Sequence, residues 1–181
     1  MRVHEPGFSL VEMVIVSAIT MITVGVAAPT ITSAIRSYGL EAAAQSVATT
    51  VRNARYRAVT RNVTLRVRFN CPVANQMRVI EVTGNGGIDN AGNRCDTTAY
   101  PYPDPDPAVL PNNDGPVVTM TPEMSFGGTR DFSISTIGRI TPLVGAVPIT
   151  IAVGDSYAVK NLTVSGSGQV MLSTGSYARV P

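Results

Sequence analysis

The sequence predicts an α+β fold in which a long N-terminal helix packs on an antiparallel β-sheet domain. Three observations predict it. A nearly unbroken apolar run extends from Phe8 to Ala28. An apolar stripe at helical spacing follows as far as Ala58. Beyond it, short segments of alternating apolar and polar residues recur between turn signals. The length, 181 residues, suits one globular domain plus an anchor.

The first element is the apolar run. As a helix, Phe8 to Ala28 spans about 31 Å, close to the ~30 Å core of a bilayer. No Lys or Arg interrupts it, and Arg2 and His4 are the only basic side chains ahead of it. Glu12 breaks the pattern. A carboxylate at bilayer depth costs about 2.5–3.5 kcal/mol on insertion scales, so it needs a partner. No cation within the run supplies one. Cleavage after Gly7 would create one, the α-amine of Phe8, which titrates near ~7.7–8 and is largely charged. Phe8 and Glu12 stand one helical turn apart, so pairing within a chain is open. Pairing with a neighbouring chain's amine would instead set the stagger between packed helices. A secretory signal cut near Val26-Ala27-Ala28, or a plain anchor, explains the apolar run but not Glu12.

The second element continues the helix. Pro29 lacks an N–H and clashes with the preceding turn, so a kink or interruption is expected there. Beyond it Leu40, Ala44, Val47, Val51, Ala54 and Ala58 form one apolar stripe. Its small residues predict a close approach to the globular part. Arg52, Arg55, Arg57 and Arg61 lie near the helix end, where cations favour the dipole. They read as a solvated basic face, as a contact with an acidic neighbour, or as a contact with nucleic acid.

The remaining elements are strands. Val63, Leu65, Val67 and Phe69 alternate with Thr64, Arg66 and Arg68. Met77–Val82 is a second strand, followed by turn chemistry at residues 84–87 and 89–93. Residues 100–116 hold six prolines and read as an extended loop. It is a surface excursion or a docking segment with Tyr100 and Tyr102 as anchors. Further strands are expected at 117–120, 132–137, 149–153, 161–164 and 169–172, in two small sheets.

Composition bounds the chemistry. Only 14% of residues are charged, low for a cytosolic protein. From Arg36 to Arg78 there are eight Arg and one acid, whereas from Val79 onward nine acids face five bases. In an exported domain, Cys71 and Cys95 read as one disulfide, worth roughly 3–3.5 kcal/mol in the chain-entropy model. The only histidine, His4, lies in the segment expected to be removed, which leaves no His-based triad and few zinc sites. No phosphate or dinucleotide fingerprint occurs. The reading is a non-enzyme without cofactor or metal. Asp89, Asn90, Asn93 and Asp96 carry oxygens suited to calcium, but their spacing matches no full calcium loop, and an Asn/Gly turn explains them as well.

Gly7-Phe8-Ser9-Leu10-Val11-Glu12, ahead of a long apolar stretch, resembles the leader junction of type IV prepilins and pseudopilins. That resemblance implies a prepilin peptidase that cuts after Gly7 and methylates Phe8. The family's assembly glutamate falls on Glu12 and its helix-kinking proline on Pro29. The junction Asn53-Ala54-Arg55-Tyr56-Arg57-Ala58-Val59-Thr60-Arg61-Asn62-Val63-Thr64-Leu65 resembles the GspH/FimT branch, in which a long helix leads directly into a β-domain. The resemblance implies a pilin-like fold with a leader at 1–7, a helix at 8–62 that is transmembrane over 8–28, and a periplasmic β-rich domain at 63–181. It implies a single-pass protein of the bacterial inner membrane, incorporated into a type IV pilus or a type II secretion pseudopilus as a minor subunit. Its partners would be the peptidase, other pilins or pseudopilins, and the membrane.

The alternative function is DNA binding during DNA uptake. Some FimT-like minor pilins use a Gly-Arg-x-Arg tail for it. The corresponding place here is Gly168-Gln169-Val170-Met171, with Gln169 and Met171 at the arginine positions. Gly138-Arg139 preserves one pair and Arg179 stands alone. Mass spectrometry of the mature chain is expected to find an N-methylated Phe8 at its N-terminus. A chain starting at Pro29 or nearby would point to a secretory signal instead.

Overall fold

The computed structural model describes residues 9–106, 108–121, 124–127, 131–155 and 158–173. The side chains of residues 26 and 28–30 fall outside that description. The chain divides into two compact units, Met1–Gly39 and Leu40–Pro181.

One helix, α1, runs from Leu10 to Arg61. It is continuous through Pro29, so the expected interruption does not occur. A proline removes a single backbone donor, and the turns on either side keep theirs. Within the first unit the described side chains are solvent-facing and largely apolar. Leu10, Val11, Met13, Met21 and Ile22 are each more than 60% exposed. Among the described residues, no helix is long and apolar enough to cross a membrane.

In the second unit the predicted stripe is buried. Leu40, Ala44, Val47, Ala48, Val51, Ala54 and Ala58 are all at most 3% exposed. α1 ends in a Schellman turn. Asn62 takes a left-handed φ of 54°, Val63 N–H donates to Ala58 O at 3.1 Å, and Asn62 N–H donates to Val59 O at 3.4 Å. The turn aims the chain straight into β1 (Leu65–Phe69), where Leu65, Val67 and Phe69 are buried and Arg66 and Arg68 are half-buried.

β1 pairs antiparallel with β2 (Gln76–Glu81), placing Val67 opposite Val79 and Phe69 opposite Met77. With β3 (Val117–Thr119), β5 (Phe132–Ile134) and β6 (Ile140–Pro142) they form an antiparallel sheet in the order β3-β2-β1-β5-β6. A second antiparallel sheet has the order β4-β7-β8-β9. Its strands are β4 (Ser125–Gly127), β7 (Ile149–Gly154), β8 (Val159–Val164) and β9 (Val170–Ser173). Both sheets and the helix stripe share one apolar core. Phe69 of the first sheet and Phe126 of the second meet edge to face, with ring centroids 5.2 Å apart.

The strand reading differs in three places. The strand expected over 132–137 ends at Ile134, and a tight turn at 135–139 leads into a further strand, β6, that was not expected. β4 has only three residues, too few for alternation to reveal it. Residues 84–93 include one helical turn, α2 (Gly86–Asp89), whose first turn is capped by the Asn85 side chain accepting from Gly87 N–H at 3.0 Å. The disulfide forms as expected: Cys71, just past β1, bonds Cys95 across a Cα–Cα distance of 5.6 Å.

Ala54 is 1% exposed in the helix–sheet seam. Ala54→Leu is expected to overpack it and cost about 1–3 kcal/mol, read as a lower urea midpoint of the domain's unfolding. The same change at solvent-facing Asn53 should be nearly neutral.

Candidate functional site

The assembly residues expected at the N-terminus divide in two. Gly7 and Phe8 lie outside the described residues. Glu12 sits in the first turn of α1, exposed, with no ion-pair or hydrogen-bond partner among the described residues. The hydroxyls around it are already satisfied by the helix. Ser17 Oγ donates to Val14 O at 2.9 Å, and Thr23 Oγ1 donates to Ile19 O at 3.0 Å. Glu12 is a charged group on this stretch that its own helix does not serve.

The four arginines of the helix end all reach the β-domain. Arg52 Nη2 donates to Val170 O at 3.2 Å, and Arg55 Nε to Gly138 O at 3.0 Å. Arg57 Nη2 donates to Asn113 O at 2.5 Å and Asp114 O at 3.3 Å, and Arg61 Nη1 to Asn113 Oδ1 at 2.7 Å. Arg57 is half-buried and the other three remain exposed. Desolvation by burial pushes the Arg57 guanidinium below its ordinary value, and neighbouring Arg61 pushes the same way. The first duty of these side chains is to hold the β-domain on the helix.

Arg55 shows how. Two turns of the same design converge on it, one from each sheet. In the first, Gly138 N–H donates to Ser135 O and Arg139 N–H to Ser135 Oγ. In the second, Gly168 N–H donates to Ser165 O and Gln169 N–H to Ser165 Oγ. Gly138 and Gly168 have φ of 76° and 84°. A Cβ on Gly168 would stand 2.4 Å from Arg55 Nε, and one on Gly138 would stand 3.0 Å from it. Both glycines are therefore required by backbone hand and by the close approach of the guanidinium. The turns also bond each other, Ile140 N–H donating to Gly166 O at 3.0 Å. Gly138-Arg139 and Gly168-Gln169 are thus equivalent positions in two adjacent turns.

Sequence reasoning missed a buried charge cluster. Arg78 and Arg94 are fully buried and share Asp114, which is 6% exposed. Arg94 makes a two-pronged pair with the Asp114 carboxylate, one prong at 2.7 Å, and Arg78 lies 3.8 Å from it. Arg78 also donates to the carbonyls of Gly115, Cys95 and Tyr100. Arg94 lies 4.5 Å from the centroid of the Tyr100 ring. Burial pushes the Arg78 guanidinium below its usual value, and Asp114 opposes that. The Glu81 carboxylate, also buried, accepts from Asn112 N–H and Asn113 N–H, both at 2.9 Å. Together these bonds pin the proline-rich segment and the disulfide loop onto β2. The signal was present in the sequence: Arg78 and Glu81 interrupt an otherwise apolar strand, and a strand covered on both faces keeps a charge only if it is paired.

The same segment revises two readings. Tyr100, offered as a docking anchor, is half-buried beneath Arg94, while Tyr102 stays 51% exposed. Three of the four side chains considered for calcium are engaged. Asp89 accepts from Thr83 N–H, Thr83 Oγ1 and Gly84 N–H, Asn90 Oδ1 accepts from Arg66, and Asp96 Oδ1 accepts from Thr98 N–H. Among the described residues no group of three His, Cys, Asp or Glu side chains is placed to hold a metal ion.

No protein-family model matches the chain, and no curated protein matches it. It is similar to the crystal structure of the type IV minor pilin FimU from Pseudomonas aeruginosa strain PAO1. The likeness has 13% sequence identity and a TM-score of 0.47, covering 74% of this chain and 87% of that one.

Asp114→Ala would leave two buried guanidiniums without their anion. It is expected to cost about 3–5 kcal/mol in chemical unfolding and to expose residues 100–116 to limited proteolysis.

Proposed function

We propose that the chain is a pilin-like structural subunit, a minor pilin or pseudopilin of a type IV pilus or type II secretion pseudopilus. One observation carries the reading. A single helix presents a long, exposed apolar surface with a lone carboxylate at its start, and then a second half whose apolar stripe is buried against a β-domain. An apolar surface of that extent needs cover, either lipid or the helices of other subunits. The internally bonded hydroxyls of Ser17 and Thr23 suit either environment.

In this reading the apolar helix anchors the precursor in the bacterial inner membrane, with the β-domain in the periplasm. A prepilin peptidase removes 1–7 and frees and methylates the amine of Phe8. Glu12 then meets that amine on its own or a neighbouring chain and fixes the register of packed helices. Pairing offsets part of the desolvation penalty of the carboxylate, so assembly is more favourable after cleavage than before it. The Cys71–Cys95 disulfide suits an oxidising compartment. The β-domain performs no chemistry and faces outward to contact neighbours or cargo.

Glu12→Ala is expected to insert into membranes normally and to fall sharply in recovery with sheared filaments, measured by immunoblot of membrane and filament fractions. Undiminished incorporation of that variant would refute the register role.

A further inference from the structure

The end of α1 and the proline-rich segment enclose a cavity of about 410 Å³, lined by Arg57, Arg61, Tyr102, Asp104, Asn112 and Asp114 together with Pro103. Arg57 and Arg61 stand one helical turn apart, and like charges at that spacing repel. Their hydrogen bonds run only to neutral acceptors, the carbonyls of Asn113 and Asp114 and the side-chain oxygen of Asn113. Each guanidinium uses a single nitrogen in them, out of a fork of five N–H donors.

The nearby acids serve other groups. The Asp114 carboxylate is committed to Arg94, to Arg78 and to Glu81 N–H. Glu81 accepts from two backbone amides. Asp104 Oδ1 accepts from Asp106 N–H at 2.9 Å. Among the described residues no carboxylate lies within ion-pair distance of Arg57 or Arg61. Burial lowers the Arg57 guanidinium most and Arg61 next, against an opposing pull from Tyr102, Asp114 and Glu81. A half-exposed phenol, Tyr102, adds a further O–H donor at the rim.

We infer that this cavity is a binding site for a single carboxylate, held by the free N–H groups of Arg57 and Arg61 with Tyr102 at its mouth. Paired planar forks match a planar carboxylate. An extended polyanion fits less well, because phosphate tracking needs several cations in a row and here Asp104 and exposed Asp106 flank the site. The inference does not depend on filament assembly, since the pocket is complete within one chain.

The test uses the full chain in detergent micelles, with arginine Nε–H resonances followed by NMR. Acetate should shift the Arg57 and Arg61 resonances saturably. Arg61→Gln, whose side chain is exposed and whose loss spares the core, should weaken binding about tenfold, the value of one charge-assisted contact. Tyr102→Phe should weaken it less. Acetyl-Gly-Glu-Gly-amide binding more tightly than acetate would support the site and identify the source as an acidic side chain of a partner protein. Equal binding would support a free small carboxylate. No saturable shift with either probe would overturn the inference. So would phosphate or a single-stranded oligonucleotide moving the same resonances at lower concentration than acetate.

Discussion

The structure of the second unit depends on a narrow seam of small side chains along the end of α1. Ala44, Ala48, Ala54 and Ala58, with Val47 and Val51 between them, are short enough for two sheets to settle on one helix. A helix with Leu at these positions would hold the sheets off, and a close-packed core tolerates little added volume. Once the sheets are seated, Phe69 and Phe126 touch across them. The two serine–glycine turns then meet around Arg55. The arginines next to the seam complete the attachment by donating to carbonyls that the strand ladders leave free.

Charge is handled in two opposite ways along this chain. In the β-domain, Asp114 neutralises Arg78 and Arg94 where all three are out of water, and the leftover donors find carbonyls. Such a cluster is a costly way to gain stability. What it accomplishes is positional: one carboxylate ties the proline-rich segment, β2 and the disulfide loop together. On the apolar part of α1, Glu12 is left unserved by its own helix. An unserved carboxylate on an apolar surface is a demand on something outside the described residues, and that demand is the physical content of the proposed assembly role. Arg57 and Arg61 pose the reverse case, two cations holding a cavity open beside neutral acceptors.

Much of the fold was legible because its elements obey strict periods. The stripe from Leu40 to Ala58 and the alternation through Phe69 are buried where their spacing puts them. The end of β5 at Ile134 and the short return strand β6 were not legible. The turn between them, Ser135 to Arg139, is encoded by one glycine and one serine, too little to separate it from a continuing strand. Of the functional residues, Glu12 was legible because a charge in an apolar run is conspicuous at any distance in the chain. Asp114 was not, because in sequence it is one acid among the prolines.

The sequence by itself determined the long helix, its apolar first half with a single acid, the β-rich remainder and the pairing of Cys71 with Cys95. All follow from local period, from hydropathy or from there being only two thiols. Tertiary structure alone decided the partners of the charges. It turned Arg55 into a clamp between two sheets, placed Arg78 and Arg94 on Asp114, and left Arg57 and Arg61 facing a cavity. The reason is range: period and hydropathy act within a few residues, whereas a guanidinium bonds whatever acceptor the fold brings within about 3 Å. For Arg55 that acceptor is a carbonyl 83 residues further along the chain.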